Sequence, residues 1–410
     1  MRTQRLLAAG ATVLAATLAL SACGTRSNPS SSGGGGGGST KVVKIGVIAP
    51  LSGSLSALGL GIKNSVDLAI KQANDANAVP GWKLELDAQD DQATPDVGKN
   101  AATKLAGDDQ VVGVVGTLNS SVSLSVQPVL AAANIVQVSP ANTNPTLTRG
   151  PKPDTAPKRV WPTYMRVATT DAFQGPFAAD YALGKGGFKS AFIIHDKKTY
   201  GQGLAEAFAK RFEEKGGTIA GRETVNENDR DFGAVVTQVI GSKADMVYYG
   251  GEYPAAGPLA AQLKERGFKG PLMGGDGIYA SDFFKGAGDK GEGTLATSIG
   301  QPVSELDSAK QFVTDYEGAG FKESYSAYGA QSFDAANIII QGLAKVLPNA
   351  QSVEAARPEV VKTVGATSGF QGVTGEHTFD EYGDTSNRAL TVYKATGKEW
   401  TPEFSGAFET

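Results

Sequence analysis

From Lys41 onward the chain alternates short β-branched apolar runs with helical patterns, and this alternation restricts the fold more than any other feature. Residues 43–49 (VKIGVIA) read as a buried strand, and residues 59–76 as an amphipathic helix with Ile62, Val66, Leu68 and Ile70 on its apolar side. Residues 84–90 follow as a strand, 95–106 as a helix, 111–115 (VVGVV) as a strand, 123–133 as a helix and 135–138 as a strand. Parallel strands need a crossover between them, so this rhythm predicts right-handed βαβ units and a sheet covered on both faces.

After Arg166 the rhythm restarts. Helices are expected over 173–183, 203–215, 231–240 and 255–267, with strands over 190–195 (SAFIIH), 218–223, 246–249 and 271–274. Residues 308–316 and 334–347 are helical again, and the tail 379–398 reads as a hairpin. At 410 residues the chain is too long for one core, since single cores stop growing at roughly 250–300 residues. An α/β protein of two similar lobes is expected. Open α/β sheets hold ligands at the carboxyl ends of their strands, so the cleft between the lobes is the place for a site.

The first residues are an address rather than a fold. Arg2 and Arg5 precede an apolar run that ends in small residues, the pattern of a secretory signal over 1–22. The only cysteine of the chain is Cys23, and Leu20-Ser21-Ala22-Cys23 resembles a bacterial lipobox, so lipidation of Cys23 is expected. Residues 30–39 are wholly Ser and Gly, which makes 23–40 a flexible tether. A globule held by a lipid at the outer face of the bacterial cell membrane follows from this order.

Composition excludes several chemistries. With 38 Lys+Arg against 42 Asp+Glu, the net charge of −4 offers no basic footprint for nucleic acid. One cysteine excludes internal disulfides, and two histidines make a His-based metal site an unpromising reading. No phosphate loop, H-E-x-x-H or G-x-S-x-G pattern is present. His195 closes an apolar strand, His377 is expected in an exposed turn, and Asp90-Asp91 are expected to be solvated or capping. No catalytic residue, metal or cofactor is expected.

The strand ends are more informative. After residues 111–115 come Gly116-Thr117-Leu118-Asn119-Ser120-Ser121, and after 135–138 come Ser139-Pro140-Ala141-Asn142-Thr143. Both are small, polar loops leading to helices, where free N–H groups and the helix dipole favour an anion. In the second half, strands end in Gly250-Gly251-Glu252 and Gly275-Asp276-Gly277, each delivering a carboxylate. Such an arrangement would grip a zwitterion, carboxylate in the first lobe and ammonium in the second. From spacing alone, the same residues serve equally well as turns and caps.

Residues 43–53 (VKIGVIAPLSG), 138–145 (VSPANTNP), 193–203 (IIHDKKTYGQG) and 247–251 (VYYGG) together resemble the leucine/isoleucine/valine-binding proteins of ABC importers, in colinear order to the C-terminus. The resemblance implies the type I periplasmic-binding-protein fold, two Rossmann-like lobes with parallel sheets joined by three crossover segments. It places 42–170 plus 300–386 in lobe 1 and 171–299 plus 387–410 in lobe 2. It implies a monomer that closes around a free amino acid, with a branched-chain or other aliphatic side chain, and delivers it unaltered to the permease.

Residue by residue, the resemblance places Ser120, Ala141 and Thr143 at the ligand's carboxylate and part of its ammonium. Asp276 stands where an acid pairs with the ammonium, and Tyr200 and Tyr328 where rings line the side-chain pocket. Leu58 replaces a wall aromatic, Glu252 a tyrosine that helps hold the ammonium, and Asn119 a cysteine. These departures leave open a polar amino acid, an amide, a urea or an aromatic acid as cargo. A ligand sensor and a secreted α/β enzyme are the remaining alternatives.

Overall fold

The computed structural model describes residues 41–408. The signal over 1–22, Cys23 and the tether to residue 40 lie outside the described residues. β1 (Lys41–Ala49), β2 (Trp82–Asp90), β3 (Val111–Gly116), β4 (Val136–Ser139) and β5 (Tyr164–Arg166) form an all-parallel sheet in the order β2-β1-β3-β4-β5. Every residue of β3 is buried, as a central strand with both faces covered requires. The crossovers are α1 (Ser56–Asp75), α2 (Pro95–Ala106) and α3 (Ser120–Ala132), with a single turn, α4 (Thr146–Arg149), before β5. The apolar stripe of α1, including Ile62, Val66 and Ala69, is fully buried.

The second half repeats the plan. α5 (Asp171–Leu183) leads to β6 (Ser190–His195), α6 (Thr199–Glu214), β7 (Thr218–Thr224), α7 (Gly233–Ser242) and β8 (Met246–Gly250). α8 (Tyr253–Glu265), β9 (Leu272–Gly274), α9 (Phe283–Ala287) and β10 (Leu295–Ile299) follow. The sheet order is β14-β13-β10-β9-β8-β6-β7, and β7 to β10 reproduce in parallel the order of the first sheet. Between them come α10 (Lys310–Gly318), α11 (Gly329–Val346), α12 (Val353–Gly365) and a small hairpin of β11 (Phe370–Gly372) and β12 (Gly375–His377). α11 packs on α1, β3 and β4. β13 (Ala389–Thr396) and β14 (Glu399–Ala407) then extend the second sheet antiparallel to β10.

This strand order reverses direction beside the first strand of each parallel set. The loops after β1 and β3 therefore leave on opposite faces, as do those after β6 and β8, opening a crevice at the carboxyl ends. Both crevices carry the polar loops noted in the sequence.

Three expectations need correction. The C-terminal hairpin is shifted: its turn is Gly397-Lys398, where Gly397 takes a φ of 65° that suits glycine, and its second strand is β14. Residues 379–385 instead form a tight loop in which the Asp380 carboxylate accepts the Tyr382 and Asp384 N–H groups. His377 is fully buried rather than exposed, set between the hydroxyls of Thr374 and Thr385 at 2.9 and 2.8 Å. Asp90 caps the loop after β1 and Asp91 caps the turn at Ala93, both as expected, but Asp91 has no exposed surface and is not solvated. Also unforeseen are β10 and α12; Pro358 interrupts the helical pattern of the latter.

Candidate functional site

Loop chemistry sets the first wall. After β3 the Thr117 hydroxyl donates to the Asn119 carbonyl at 2.9 Å, and the Asn142 amide donates to the Leu118 carbonyl at 2.8 Å. The Ser139 hydroxyl donates to the Thr117 carbonyl at 3.2 Å and accepts from the N–H of Asn142 at 2.9 Å. The two loops are thus one bonded unit, with Ser120 at the first position of α3. No side chain caps that helix; the Asn119 amide NH2 donates to Glu252, and its Oδ1 is left without a partner. The first turn of α3 keeps free N–H groups and the positive end of its dipole.

Beneath this unit lies Arg166, a residue that sequence reasoning missed. Its guanidinium, wholly without exposure, donates to the carbonyls of Asn142 and Asn144 at 3.0 and 2.9 Å. It also donates to the Thr148 hydroxyl at 2.6 Å and to Asp384 at 2.7 Å. A lone arginine in a three-residue strand is a weak sequence signal; four partners from three segments explain it.

The second wall is centred on Asp276, which is almost fully buried. Its carboxylate accepts the Tyr200 hydroxyl at 2.8 Å, the Gln174 amide at 3.0 Å and the Tyr328 hydroxyl at 2.9 Å. Burial pushes its carboxyl above the ordinary range, opposed by these hydrogen bonds. Gln174, also missed from sequence, accepts the Asp276 N–H and the Thr297 hydroxyl with its other end. Tyr200 in turn accepts the Gly277 N–H at 2.9 Å. Asp171 stands nearby, its carboxyl pushed up to about 8 by burial and by the charge of Asp276.

Between the walls is a small cavity. Leu58, Asn119, Ser120, Ala141, Tyr200, Glu252, Asp276 and Tyr328 all line it, together with Leu118 and Gly277. Thr143 is the expected residue that does not. It is buried beside Asp171, its carbonyl accepting the Asp171 N–H at 2.9 Å and its hydroxyl left without a hydrogen-bond partner. Asn119 Oδ1 and Asp171 Oδ2 are buried without partners as well. Buried polar atoms of this kind are rare unless something meets them. The cavity is lined by donors from the first wall, carboxylates from the second and the apolar side chains of Leu58 and Leu118. No grouping of His, Cys, Asp and Glu that could hold a metal occurs among the described residues.

A family model described as periplasmic binding protein matches residues 42–399, and the chain belongs to that family. Its fold is the type I periplasmic-binding-protein fold, two Rossmann-like lobes joined by three crossover segments. Among curated relatives, the Leu/Ile/Val-binding protein homolog 1 of Brucella suis is 33% identical over 355 residues, covering 86% of this chain and 90% of that one. Among solved structures, a leucine-binding protein LivK from Thermotoga maritima superposes with a TM-score of 0.78 at 26% identity, covering 88% of this chain and 98% of the other. The branched-chain amino acid transporter substrate-binding protein LivJ of Streptococcus pneumoniae, in complex with isoleucine, gives 0.77 at 25% identity, with 90% and 99% covered. These relatives are named as binding proteins.

Proposed function

We propose that this protein captures a free amino acid between two closing lobes and delivers it, chemically unaltered, to the permease of an ABC importer. The observation that carries the reading is the single cavity shared by the start of α3 at Ser120 and the carboxylate of Asp276. A zwitterion matches that polarity: its carboxylate at the free N–H groups, its ammonium at Asp276. Ser120 and Ala141 serve the carboxylate side, with Thr143 behind that wall, Asp276 the ammonium, and Tyr200, Tyr328, Leu58, Asn119 and Glu252 the rest of the ligand. The side-chain class is the branched-chain or other aliphatic one for which the relatives are named. Glu252 on the wall favours a second reading, an amino acid with a polar side chain.

Lobe 1 comprises residues 42–170 plus 300–386, and lobe 2 comprises 171–299 plus 387–410, supported by the segregation of their strands into separate sheets. The receptor acts as a monomer outside the cytoplasm, held to the membrane by lipid on Cys23; the sequence around that cysteine supports this. It works without cofactor or metal. Isothermal titration calorimetry with the common amino acids tests the reading, and mass spectrometry of the small molecule retained through gentle purification identifies the cargo. Turnover of a bound ligand, or binding of none of them, refutes it.

A further inference from the structure

The loops after β2, β6 and β8 assemble a group of buried acids of which amino-acid capture, as described above, uses only Glu252. Asp91, at the end of β2, has no exposed surface; one carboxylate oxygen accepts the Ala93 N–H at 2.8 Å and the other has no partner. Asp196, after β6, is 4% exposed; one oxygen accepts the Lys198 N–H at 2.9 Å and the other has no partner. Glu252, after β8, completes the group. One of its oxygens accepts the Asn119 amide and the other faces the Lys198 ammonium at 3.5 Å.

Asp91 and Asn119 extend from the first sheet, whereas Asp196, Lys198 and Glu252 extend from the second. The group is therefore complete only when the two walls meet. Its cation, Lys198, is shared with Glu227 in the segment after β7. Asp90 adds a further negative charge from β2, and the Tyr249 hydroxyl on β8, neutral and buried without a partner, offers none to offset it.

We propose that Glu252 is a positioning residue that fastens the two walls over a captured amino acid through Asn119 and Lys198, and that this fastening takes up protons on Asp91 and Asp196. The proposal rests on the amino-acid reading of the cavity. Acids brought together away from water around one shared lysine cannot all stay ionised. Burial pushes Asp91 up to about 7, with Asp90 and Glu252 adding to it and the Ala93 N–H and Lys198 opposing. Burial, then the charge of Glu252, pushes Asp196 up to about 7 against Lys198. Parting the walls returns water to both carboxyls and lowers them toward their ordinary value. The closed form thus holds more protons. Capture takes up protons below about pH 7, and affinity falls as pH rises to that value and levels off above it.

Calorimetry on the full chain, with each common amino acid in buffers of different ionisation enthalpy, counts the protons exchanged on capture. Uptake of about one to two protons is expected near about pH 6 and almost none near about pH 8.5, with affinity at least about tenfold weaker at the higher value. Because Asp171 and Asp276 also titrate, the assignment rests on variants: Asp91→Asn together with Asp196→Asn should lower that uptake by about one to two protons and make the pH profile correspondingly shallower. Lys198→Gln, which removes the cation facing Glu252 at a residue that does not line the cavity, should speed ligand release several-fold while leaving the association rate and the ligand-free melting temperature in place. Equal proton uptake by wild type and the double variant overturns the clasp alone. If no common amino acid binds at either pH, the amino-acid reading fails and the clasp falls with it.

Discussion

Arg166 donates to Asp384 at 2.7 Å across 218 positions of sequence, and neither side chain is exposed by more than 6%. This pair ties the last strand of the first sheet to the loop before β13, and the same guanidinium holds the carbonyls of Asn142 and Asn144 behind the cavity. The binding wall therefore depends on a residue that does not line it.

Replacing Arg166 with Met leaves Asp384 buried beside Arg149 alone, and leaves two carbonyls without their donor. A loss of about 3–5 kcal/mol is expected, read by urea denaturation. Burial pushes the Asp384 carboxyl up, but Arg166 and Arg149 more than reverse this and hold it below its ordinary value. The pair's contribution is thus fully present above that ordinary value and is lost only as pH falls through the lowered one. In Arg166→Met, acid below about pH 4 should accordingly remove less stability than it does in wild type.

Asp276→Asn keeps the shape of the second wall and removes its charge. Amino-acid affinity should drop at least about tenfold, ~1.4 kcal/mol, in calorimetry. The Asn carbonyl can still accept from Tyr200 and Gln174 while its NH2 donates to the Tyr328 hydroxyl oxygen, so ligand-free melting should change little. Unchanged affinity would remove Asp276 from the ammonium site.

A methyl group at Gly277 would lie 2.8 Å from the Gly251 carbonyl oxygen and 2.8 Å from the Tyr200 ring. Gly277→Ala must therefore displace Tyr200 from Asp276. Affinity weakened by about tenfold with a modest loss of stability is the expected result; an identical binding isotherm would show the ring to be dispensable.

Asp171 has its carboxyl pushed up to about 8 by burial and by Asp276. Ionising it in the folded state opposes folding, so its contribution is fully present below the ordinary carboxylate value and declines as pH rises through about 8. Asp171→Asn, which preserves the acceptor used by the Gln174 amide, should make the protein more stable than wild type near about pH 8.5, by at least about 1 kcal/mol. The advantage should shrink as pH falls, and denaturant titrations across that range would show it.

The linear sequence determined the strand–helix rhythm, the duplicated α/β plan and the polar loops at the strand ends, because periodicities of two and 3.6 are imposed by each segment's own burial. It also marked Ser120 and Asp276 as ends worth attention, since a loop's position at a strand's carboxyl end is local information. Tertiary structure alone decided which of those ends face one cavity, that Thr143 stands behind the wall, and that Asn119 meets Glu252 across the gap. The same holds for the burial of Asp91 and His377 and for the four-way anchoring by Arg166, all set by chain segments distant in sequence. A side chain's charge and partners depend on what is packed over it, and that is fixed only when two sheets and their connecting segments occupy their places.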